Sequence, residues 1–287
     1  MCALSVRDAM REGEKVLKDA GIKDAQGNVR RLIEGTVKQP MWRLIVDDYE
    51  LTDTEEMELF EAVEARKSGK PLQYILKKAP FMELDLTVDE NVLIPRFDTE
   101  SVAAKAIEVA LGFKEPLVLD IGTGSGAIAI SVAYDNRSSR VVATDISPEA
   151  LDIAALNAVR YGVDNRITFI ESDLYHGLPD AYKGSFNVIV SNPPYIAISE
   201  FSGLDREVKN HEPRAALSPG EDPLSVYRMI ITGANVYLKN GGYIVLEIGD
   251  GMAGRLRDLV TDTGLFTDLC ASPDIRGIDR VFSARHI

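Results

Sequence analysis

Residues that build metal centres and disulfide frameworks are scarce in this sequence. It contains two cysteines, Cys2 and Cys270, which lie far apart, and three histidines, His176, His211 and His286, which do not fall at metal-ligand spacing. Apolar runs approaching the roughly 20 residues of a membrane span are missing, and the N-terminus lacks the apolar core of a signal peptide. We therefore expect a cytoplasmic protein with free thiols and without a zinc cluster or a membrane segment.

Positive charge is also in short supply. The 287 residues carry 32 lysines and arginines against 45 aspartates and glutamates, which gives a formal net charge of -13. A broad footprint on duplex DNA needs clustered Lys and Arg, so we expect no stable nucleic-acid binding and favour a basic partner. With 45% hydrophobic residues, the chain can bury a substantial core in one large domain or two ordinary ones.

The first 70 residues combine many charges with apolar residues at helical spacing, which predicts a small helical domain. Within it, Asp53 is the predicted N-cap of a helix and Glu56 its capping-box partner. Residues 71–98 contain an alternating apolar pattern around Leu84, which predicts a hairpin or extended linker. Because the helical domain is separate from the chemical motifs described below, we expect it to recognise a protein substrate.

From residue 99 onward, apolar strand-like runs alternate with helical segments. A helix is predicted at 99–111, and strands are predicted at 117–120, 140–144, 167–170, 186–191 and 242–247. Such alternation is typical of a doubly wound, largely parallel α/β sheet. We therefore assign residues 99–287 to one α/β domain.

Three alternating glycines occupy the turn between the first predicted strand and an apolar helix. Gly122, Gly124 and Gly126 follow Asp120 at the end of that strand, and Asp145 ends the next one. Glycines let the backbone approach a ligand closely, and an acid after the second strand can accept hydrogen bonds from ribose hydroxyls. The pattern predicts a nucleotide cofactor, either NAD or S-adenosylmethionine.

The glycine spacing distinguishes between these two cofactors. Dinucleotide sites use G-x-G-x-x-G, whereas here Ala127 replaces the third glycine, which favours S-adenosylmethionine. Asp120 is then expected near the cationic amino-acid end of the cofactor. Asp173 is a candidate acceptor for the adenine amino group, with Leu174 against the ring; the alternative for Asp173 is a solvated loop acid. The remaining predicted cofactor contacts are Thr123, Ile146 and Asn192.

The tetrapeptide Asn192-Pro193-Pro194-Tyr195 follows the predicted strand at 186–191. Two prolines fix φ and remove N–H donors, which leaves side-chain and backbone oxygens to accept hydrogen bonds from a substrate NH2 group. Tyr195 can stack on a flat amide or base. The alternative is a strand followed by a Pro-Pro turn with no chemical role. Together with the glycine-rich turn, the tetrapeptide predicts methylation of a nitrogen atom.

These motifs and their flanking segments resemble the protein-glutamine N5-methyltransferase family. The segments that carry the resemblance are 71–75 (PLQYI), 92–96 (VLIPR) with Thr99 and Glu100, 122–126 (GTGSG), 191–195 (SNPPY), 212–217 (EPRAAL) through Tyr227 and Arg228, and 247–249 (EIG). The resemblance covers about residues 71–287, and the N-terminal region is similar in layout only. It implies a class I methyltransferase fold and methylation of the glutamine in the Gly-Gly-Gln motif of class I peptide-chain release factors.

The resemblance also implies roles for individual residues. Asn192 and the backbone of Pro193 would bond the glutamine amide, Tyr195 would pack on its plane, and Pro194 would complete the substrate site. S-adenosylmethionine would be converted to S-adenosylhomocysteine. Arg96 would shape the pocket or form a structural ion pair, and Glu212 is equally ambiguous.

The chain departs from the family pattern outside its two central motifs. The departures are Lys77, Glu83, Pro219 and Pro223 in place of expected glycines, and Phe97 and Asp98 in place of Pro-Glu. They bear on substrate loops more than on the chemistry. Three alternatives remain: an adenine-N6 nucleic-acid methyltransferase, a methyltransferase for a ribosomal-protein glutamine, and a catalytically silent module that binds S-adenosylmethionine or another protein.

Overall fold

The structure, a computed structural model, describes residues 4–274 and 276–287. Cys2 lies outside the described residues, whereas Cys270 is an exposed free thiol. Among the described helices, we find none with the length and apolar character that a membrane crossing requires.

The helices are α1 (Val6–Asp19), α2 (Ala25–Val37), α3 (Met41–Val46), α4 (Asp53–Lys67), α5 (Leu72–Leu76), α6 (Phe97–Leu111), α7 (Ala127–Asp135), α8 (Pro148–Arg160), α9 (Arg206–His211), α10 (Arg214–Leu217), α11 (Ser225–Tyr237) and α12 (Ala253–Thr263). The strands are β1 (Ala79–Phe81), β2 (Leu84–Leu86), β3 (Leu117–Ile121), β4 (Arg140–Asp145), β5 (Ile167–Glu171), β6 (Phe186–Ser191), β7 (Leu238–Glu247), β8 (Phe266–Pro273) and β9 (Asp279–His286). Short 3₁₀ helices lie at Asp164–Arg166, Asp180–Tyr182 and Ile198–Gly203.

The contacts between residues divide the chain into two compact units. The first contains the described residues up to Lys78 together with Asp205–His211, and the second contains Ala79–Leu204 and Glu212–Ile287. Helices α1 to α5 and α9 therefore belong to the first unit. The second unit holds all the strands of the described residues.

Apolar side chains from α1, α2, α3 and α4 form the core of the helical unit. Its fully buried members include Leu17, Leu32, Ile33, Leu44 and Leu59. Arg66 is also buried there, where its guanidinium donates to Asn28 Oδ1 at 2.7 Å and to Glu207 Oε1 at 2.5 Å. A buried guanidinium needs acceptors, and Glu207 of α9 supplies one of them. This ion pair therefore joins α9 to helices that precede it by more than a hundred residues.

The predicted cap of α4 was wrong by one residue. Thr52 is the N-cap: its hydroxyl accepts from the Glu55 amide, and the Glu55 carboxylate accepts from the Thr52 amide at 2.9 Å. Thr52 and Glu55 have the same three-residue spacing as Asp53 and Glu56, and both pairs carry suitable side chains. The sequence pattern therefore located the start of the helix to within one residue but did not determine which of the two pairs forms the capping box.

The second unit is built on a sheet with strand order β5-β4-β3-β6-β7-β9-β8. The pairs from β5 through β7 are parallel, and β9 and β8 add an antiparallel edge. Apolar layers cover both faces, one with α6, α7 and α8 and the other with α11 and α12. The predicted doubly wound, largely parallel α/β fold is confirmed.

The order of the strands reverses between β3 and β6. Strands β4 and β5 lie on one side of β3, whereas β6 and β7 lie on the other. In sheets of this kind the loops leaving the carboxyl ends of the strands separate at the reversal and open a crevice. The glycine-rich turn after β3 and the tetrapeptide after β6 both begin at this point.

Lys77 occupies a position where the family pattern has glycine. It caps α5 with φ of +52°, the left-handed region that disfavours residues with a side chain. Lys77→Gly is therefore expected to raise the stability of the protein by about 0.5–1 kcal/mol, since the relieved strain exceeds the entropy that glycine loses. Urea unfolding would show this as a higher midpoint. Lys77→Ala is the matched control, and an equal gain there would contradict the explanation.

Candidate active site

A cavity of about 360 Å³ opens at the carboxyl ends of β3, β4, β5 and β6. The residues predicted from sequence that line it are Arg96, Gly122, Thr123, Gly124, Asp145, Ile146, Asp173, Leu174, Asn192, Pro193 and Pro194. Three others, Asp120, Gly126 and Tyr195, are not among its described lining residues. Both central motifs therefore meet at one cavity, which lies within the second unit.

The glycine-rich turn presents bare backbone to the cavity. Gly122 and Gly124 have φ of +71° and +54°, and a Cβ atom built on either would have no heavy atom within 4 Å. Gly126 differs, because its Cβ would lie 2.8 Å from Ile130 Cδ1 and 3.1 Å from Ala154 Cβ. The structure thus gives Gly126 a packing role between α7 and α8, and its contact with the cofactor stays a prediction.

Asp120 lies buried beneath the glycine-rich turn. Its Oδ2 accepts from Thr123 Oγ1 at 2.7 Å and from the Ala129 amide at 3.1 Å. Burial raises the pKa of Asp120 to about 7, against the lowering effect of these two bonds. Its other oxygen, Oδ1, is buried and has no hydrogen-bond partner among the described residues. A buried carboxylate oxygen without a partner is unfavourable, so a cationic ligand group nearby would be stabilised.

Asp145 is held at the cavity wall by backbone amides. Its Oδ2 accepts from the Gly124 amide at 2.8 Å, and its Oδ1 accepts from the Ser147 amide at 3.1 Å. Burial raises the pKa of Asp145, and the bonds from Ser147, Gly124 and Ile146 oppose that rise. Each carboxylate oxygen retains a lone pair, so the fixed side chain can accept from a pair of ligand hydroxyls.

Asp173 and Leu174 follow β5 on the same wall. Leu174 has φ of +51°, an uncommon conformation for a leucine, and its carbonyl accepts from Ser172 Oγ at 2.8 Å. Ser172 Oγ also accepts from the Gly177 amide at 2.8 Å, which fixes the turn. A backbone held in this way presents the Leu174 side chain to the cavity at a defined place.

Asn192 leaves β6 beside residues that sequence reasoning did not assign. Its Nδ2 donates to Thr99 Oγ1 at 3.2 Å, and Thr99 Oγ1 donates to Glu247 Oε2 at 2.5 Å. Among the described residues, no hydrogen bond engages Asn192 Oδ1, which leaves this oxygen available at the cavity. Thr99 and Glu247 appeared only within the family-like segments, where spacing alone gave them no role.

The Tyr195 side chain contacts Glu247 and Gly249. Its hydroxyl donates to Glu247 Oε1 at 3.4 Å, and its ring lies against Gly249, where an added Cβ would be 3.0 Å from Tyr195 Cδ2. Burial is the main cause that raises its pKa far above the ordinary tyrosine value. In this structure the side chain therefore buttresses the turn, and stacking of Tyr195 on a substrate stays a prediction.

Arg96 both lines the pocket and forms a structural ion pair, the two alternatives predicted from the sequence. It lines the cavity and forms an ion pair with Glu212, with Nη2 and Oε1 at 2.5 Å. The Glu212 side chain is 2% exposed, whereas that of Arg96 is 38% exposed. Since a buried carboxylate needs a counterion, this pair fastens the chain before α10 to the segment that leads into α6.

The polar groups and the open backbone at the cavity fit S-adenosylmethionine. Asp145 offers acceptors for ribose hydroxyls, and Gly122 and Gly124 leave room for close approach of a ligand. The unpartnered oxygen of Asp120 supplies negative charge below the same turn. These groups would hold the cofactor against one wall while Asn192 faces the remaining space.

Comparison with known proteins agrees with this geometry. The chain matches the family model of the methyltransferase small domain over residues 101–204 and that of the PrmC N-terminal domain over residues 8–76. A release factor glutamine methyltransferase from Geobacter sulfurreducens is 37% identical over 270 residues, which is 94% of this chain and 92% of the relative. The chain belongs to the release factor glutamine methyltransferase family.

A second member of the release factor glutamine methyltransferase family, from Moorella thermoacetica, is 35% identical and is covered to 98%, as is this chain. Among solved structures, a methyltransferase from Pyrococcus furiosus superposes with a TM-score of 0.50 at 15% identity, over 82% of this chain and 98% of that one. The latter likeness bears on the fold alone. The family resemblance and the enzyme class drawn from the motifs are confirmed: the chain is a methyltransferase of this family.

Proposed function

We propose that the protein transfers a methyl group from S-adenosylmethionine to the side-chain amide nitrogen of the glutamine in the Gly-Gly-Gln motif of class I peptide-chain release factors. The observation that carries this proposal is the free acceptor oxygen of Asn192 in the cavity that Gly122, Gly124 and Asp145 also line. The new nitrogen–methyl bond replaces the sulfonium–methyl bond, and S-adenosylhomocysteine and one amide proton, released to solvent, are the other products. The reaction takes place in the cytoplasm.

The side chains act by positioning and by hydrogen bonding. A glutamine amide nitrogen is a weak nucleophile, because its lone pair is delocalised into the carbonyl group. Asn192 Oδ1 and the Pro193 carbonyl would accept from its two hydrogens and orient the lone pair for in-line attack. Acceptors aligned with a developing positive charge stabilise the transition state more than the ground state. S-adenosylmethionine supplies the electrophilic methyl group.

Labelled S-adenosylmethionine tests the proposal directly. The protein is incubated with an intact release factor, with the same factor carrying Gln→Glu in its Gly-Gly-Gln motif, with a ribosomal protein extract, and with duplex DNA. We expect label in the intact release factor alone. Label in DNA would favour the adenine-N6 alternative, label in a ribosomal protein would change the substrate, and no label would favour the silent module.

We also propose that the helical unit binds the release factor. The described residues that line the cavity all belong to the second unit, so the chemistry does not require a helical-unit side chain. The family model of the PrmC N-terminal domain covers residues 8–76. Contacts distant from the reacting atom can hold a protein loop in the productive position.

The net charge of -13 predicts that binding weakens with salt. Opposite charges across an interface are screened over about 8–10 Å at physiological ionic strength, so raising sodium chloride from about 50 to 300 mM should weaken binding of the release factor by about 3- to 10-fold. Fluorescence anisotropy with a labelled release factor would measure this. Sucrose of equal osmolality is the control, and affinity that is unchanged by salt would contradict a basic docking surface.

A further inference from the structure

Beside the cavity, two arms of hydrogen bonds from three side chains converge on the carboxylate of Glu247. Asn192 donates to Thr99 at 3.2 Å, Thr99 donates to Glu247 Oε2 at 2.5 Å, and Tyr195 donates to Glu247 Oε1 at 3.4 Å. Glu247 is 2% exposed, and its own carbonyl accepts from the Tyr227 hydroxyl at 2.7 Å. Both carboxylate oxygens are thus engaged by hydroxyl donors.

The sheet register brings these side chains together. Ser191, the last residue of β6, pairs with Leu246 of β7, so Asn192 directly after β6 lies beside Glu247 at the end of β7. Thr99 reaches the same point from the first turn of α6 and is 5% exposed. The Thr99 hydroxyl lies between the Glu247 carboxylate and the Asn192 amide. It has one proton, so it can donate to only one of these two groups and must accept from the other.

We propose that Glu247, acting through Thr99, is a positioning residue that fixes which face of the Asn192 amide points at the substrate. An ionised carboxylate only accepts, so the single Thr99 O–H must point at Glu247. Thr99 can then only accept from Asn192, which must present Nδ2 to Thr99 and Oδ1 to the cavity. The reversed amide would aim an NH2 group at the NH2 group of the substrate, and two donors do not bond.

This inference rests on the proposed function, because it assigns Oδ1 of Asn192 to the glutamine amide. It adds that methyl transfer requires the hydrogen bonds to run in the direction from Asn192 through Thr99 to Glu247, and that an asparagine at position 192 alone is not sufficient. A carboxylate at 192 would still offer an oxygen to the substrate, yet it would compete with Glu247 for the one Thr99 proton. Glutamine at 247 could donate to Thr99 and release that proton.

A reversal of polarity tests the inference. Asn192→Asp should lower kcat by about tenfold or more, since two carboxylates would contest one donor. Adding Glu247→Gln should restore several-fold of that loss, because Thr99 can then accept from the new amide and donate to Asp. Glu247→Gln alone should reduce kcat. The same substitution is therefore expected to lower kcat in the parent protein and to raise it in the Asn192→Asp background.

Glu100→Gln is the matched control for removal of one negative charge. Glu100 lies in the same helix as Thr99, and its Oε1 accepts from the Met82 amide at 2.8 Å, which glutamine preserves. It should rescue nothing in the Asn192→Asp background. Rescue by Glu100→Gln equal to that by Glu247→Gln, or no rescue by Glu247→Gln, overturns the inference.

A second variant covers the case in which the double variant fails to fold. Thr99→Val should lower kcat about tenfold in the parent protein and add nothing to Asn192→Ala, because Thr99 acts only through the asparagine. Thr99→Ser should retain the parent rate. Equal losses from Thr99→Val in both backgrounds overturn the inference. If the parent enzyme methylates no release factor, the proposed function fails instead.

The pH profile gives a readout that a purely structural role would not move. Burial raises the pKa of Glu247 to about 7; Asp98 also raises it, whereas Thr99, Arg280 and Tyr195 lower it. Glu247 should therefore protonate as the pH falls below about 7, and kcat should fall with it. At saturating cofactor this acid limb should disappear in Glu247→Gln, which removes the titrating group without adding another. The tyrosines facing Glu247, Tyr195 and Tyr227, have pKa values raised by burial and stay neutral in this range.

Discussion

Asn192→Ala is expected to lower kcat by about 100-fold or more, because an aligned acceptor contributes a few kcal/mol to transition-state stabilisation. Affinity for S-adenosylmethionine should stay within about threefold, since Asp145 and the glycine-rich turn are unchanged. Single-turnover methylation of an intact release factor would measure the first effect, and calorimetric titration of the cofactor would measure the second.

The control for this variant is Asn187→Ala in the same strand. Asn187 is buried in β6, where its Oδ1 accepts from the Leu117 amide at 3.0 Å, and it is not among the described residues that line the cavity. Its loss should lower stability with little change in kcat per folded molecule. Near-normal turnover by Asn192→Ala would remove Asn192 from the mechanism.

Asp145→Ala should weaken cofactor binding and leave kcat at saturating cofactor largely unchanged, the opposite of Asn192→Ala. Charge-assisted hydrogen bonds to ribose hydroxyls are worth roughly 1.5–3 kcal/mol, so the dissociation constant for S-adenosylmethionine should rise about 10- to 150-fold. At saturating cofactor, kcat should recover most of the parent value. Titration calorimetry followed by assays over a range of cofactor concentrations would separate the two quantities.

Glu149→Ala is the matched control for Asp145, because it removes an acid from the first turn of α8, four residues further along the chain. Glu149 is exposed, accepts from Ser147 Oγ at 3.0 Å and is not among the described residues lining the cavity. It should leave cofactor affinity unchanged. An unchanged affinity in Asp145→Ala would reject the ribose assignment, and tight binding of NAD to the parent protein would overturn the choice of cofactor.

The sheet was predictable because its central strands are buried on both faces. Runs such as that of β6, in which all six residues are buried, read clearly as apolar strands between helical segments. Strands β8 and β9 went unpredicted. They form the antiparallel edge, and the exposed and charged residues of β8 give no continuous apolar run.

The candidate site was predictable where one residue type in one turn has a direct physical meaning. Gly122, Gly124 and Asp145 are such cases, and the structure places all three at the cavity. The partnership of Thr99 with Glu247 joins residues 148 positions apart. It depends on the sheet register and on the first turn of α6, and neither appears in local spacing. The packing role of Gly126 was not predictable from local spacing either, because its need for a small side chain also comes from Ala154 on α8.

The central claim is that this protein methylates a glutamine side-chain amide in a release factor. The most direct measurement is fragmentation mass spectrometry of the Gly-Gly-Gln peptide of the release factor, isolated from cells with and without the intact protein. We expect one added methyl group on the glutamine side chain only when the protein is present, and its loss in cells carrying Asn192→Ala. An equally methylated glutamine in both cell lines, or a methyl group on another residue, would contradict the claim.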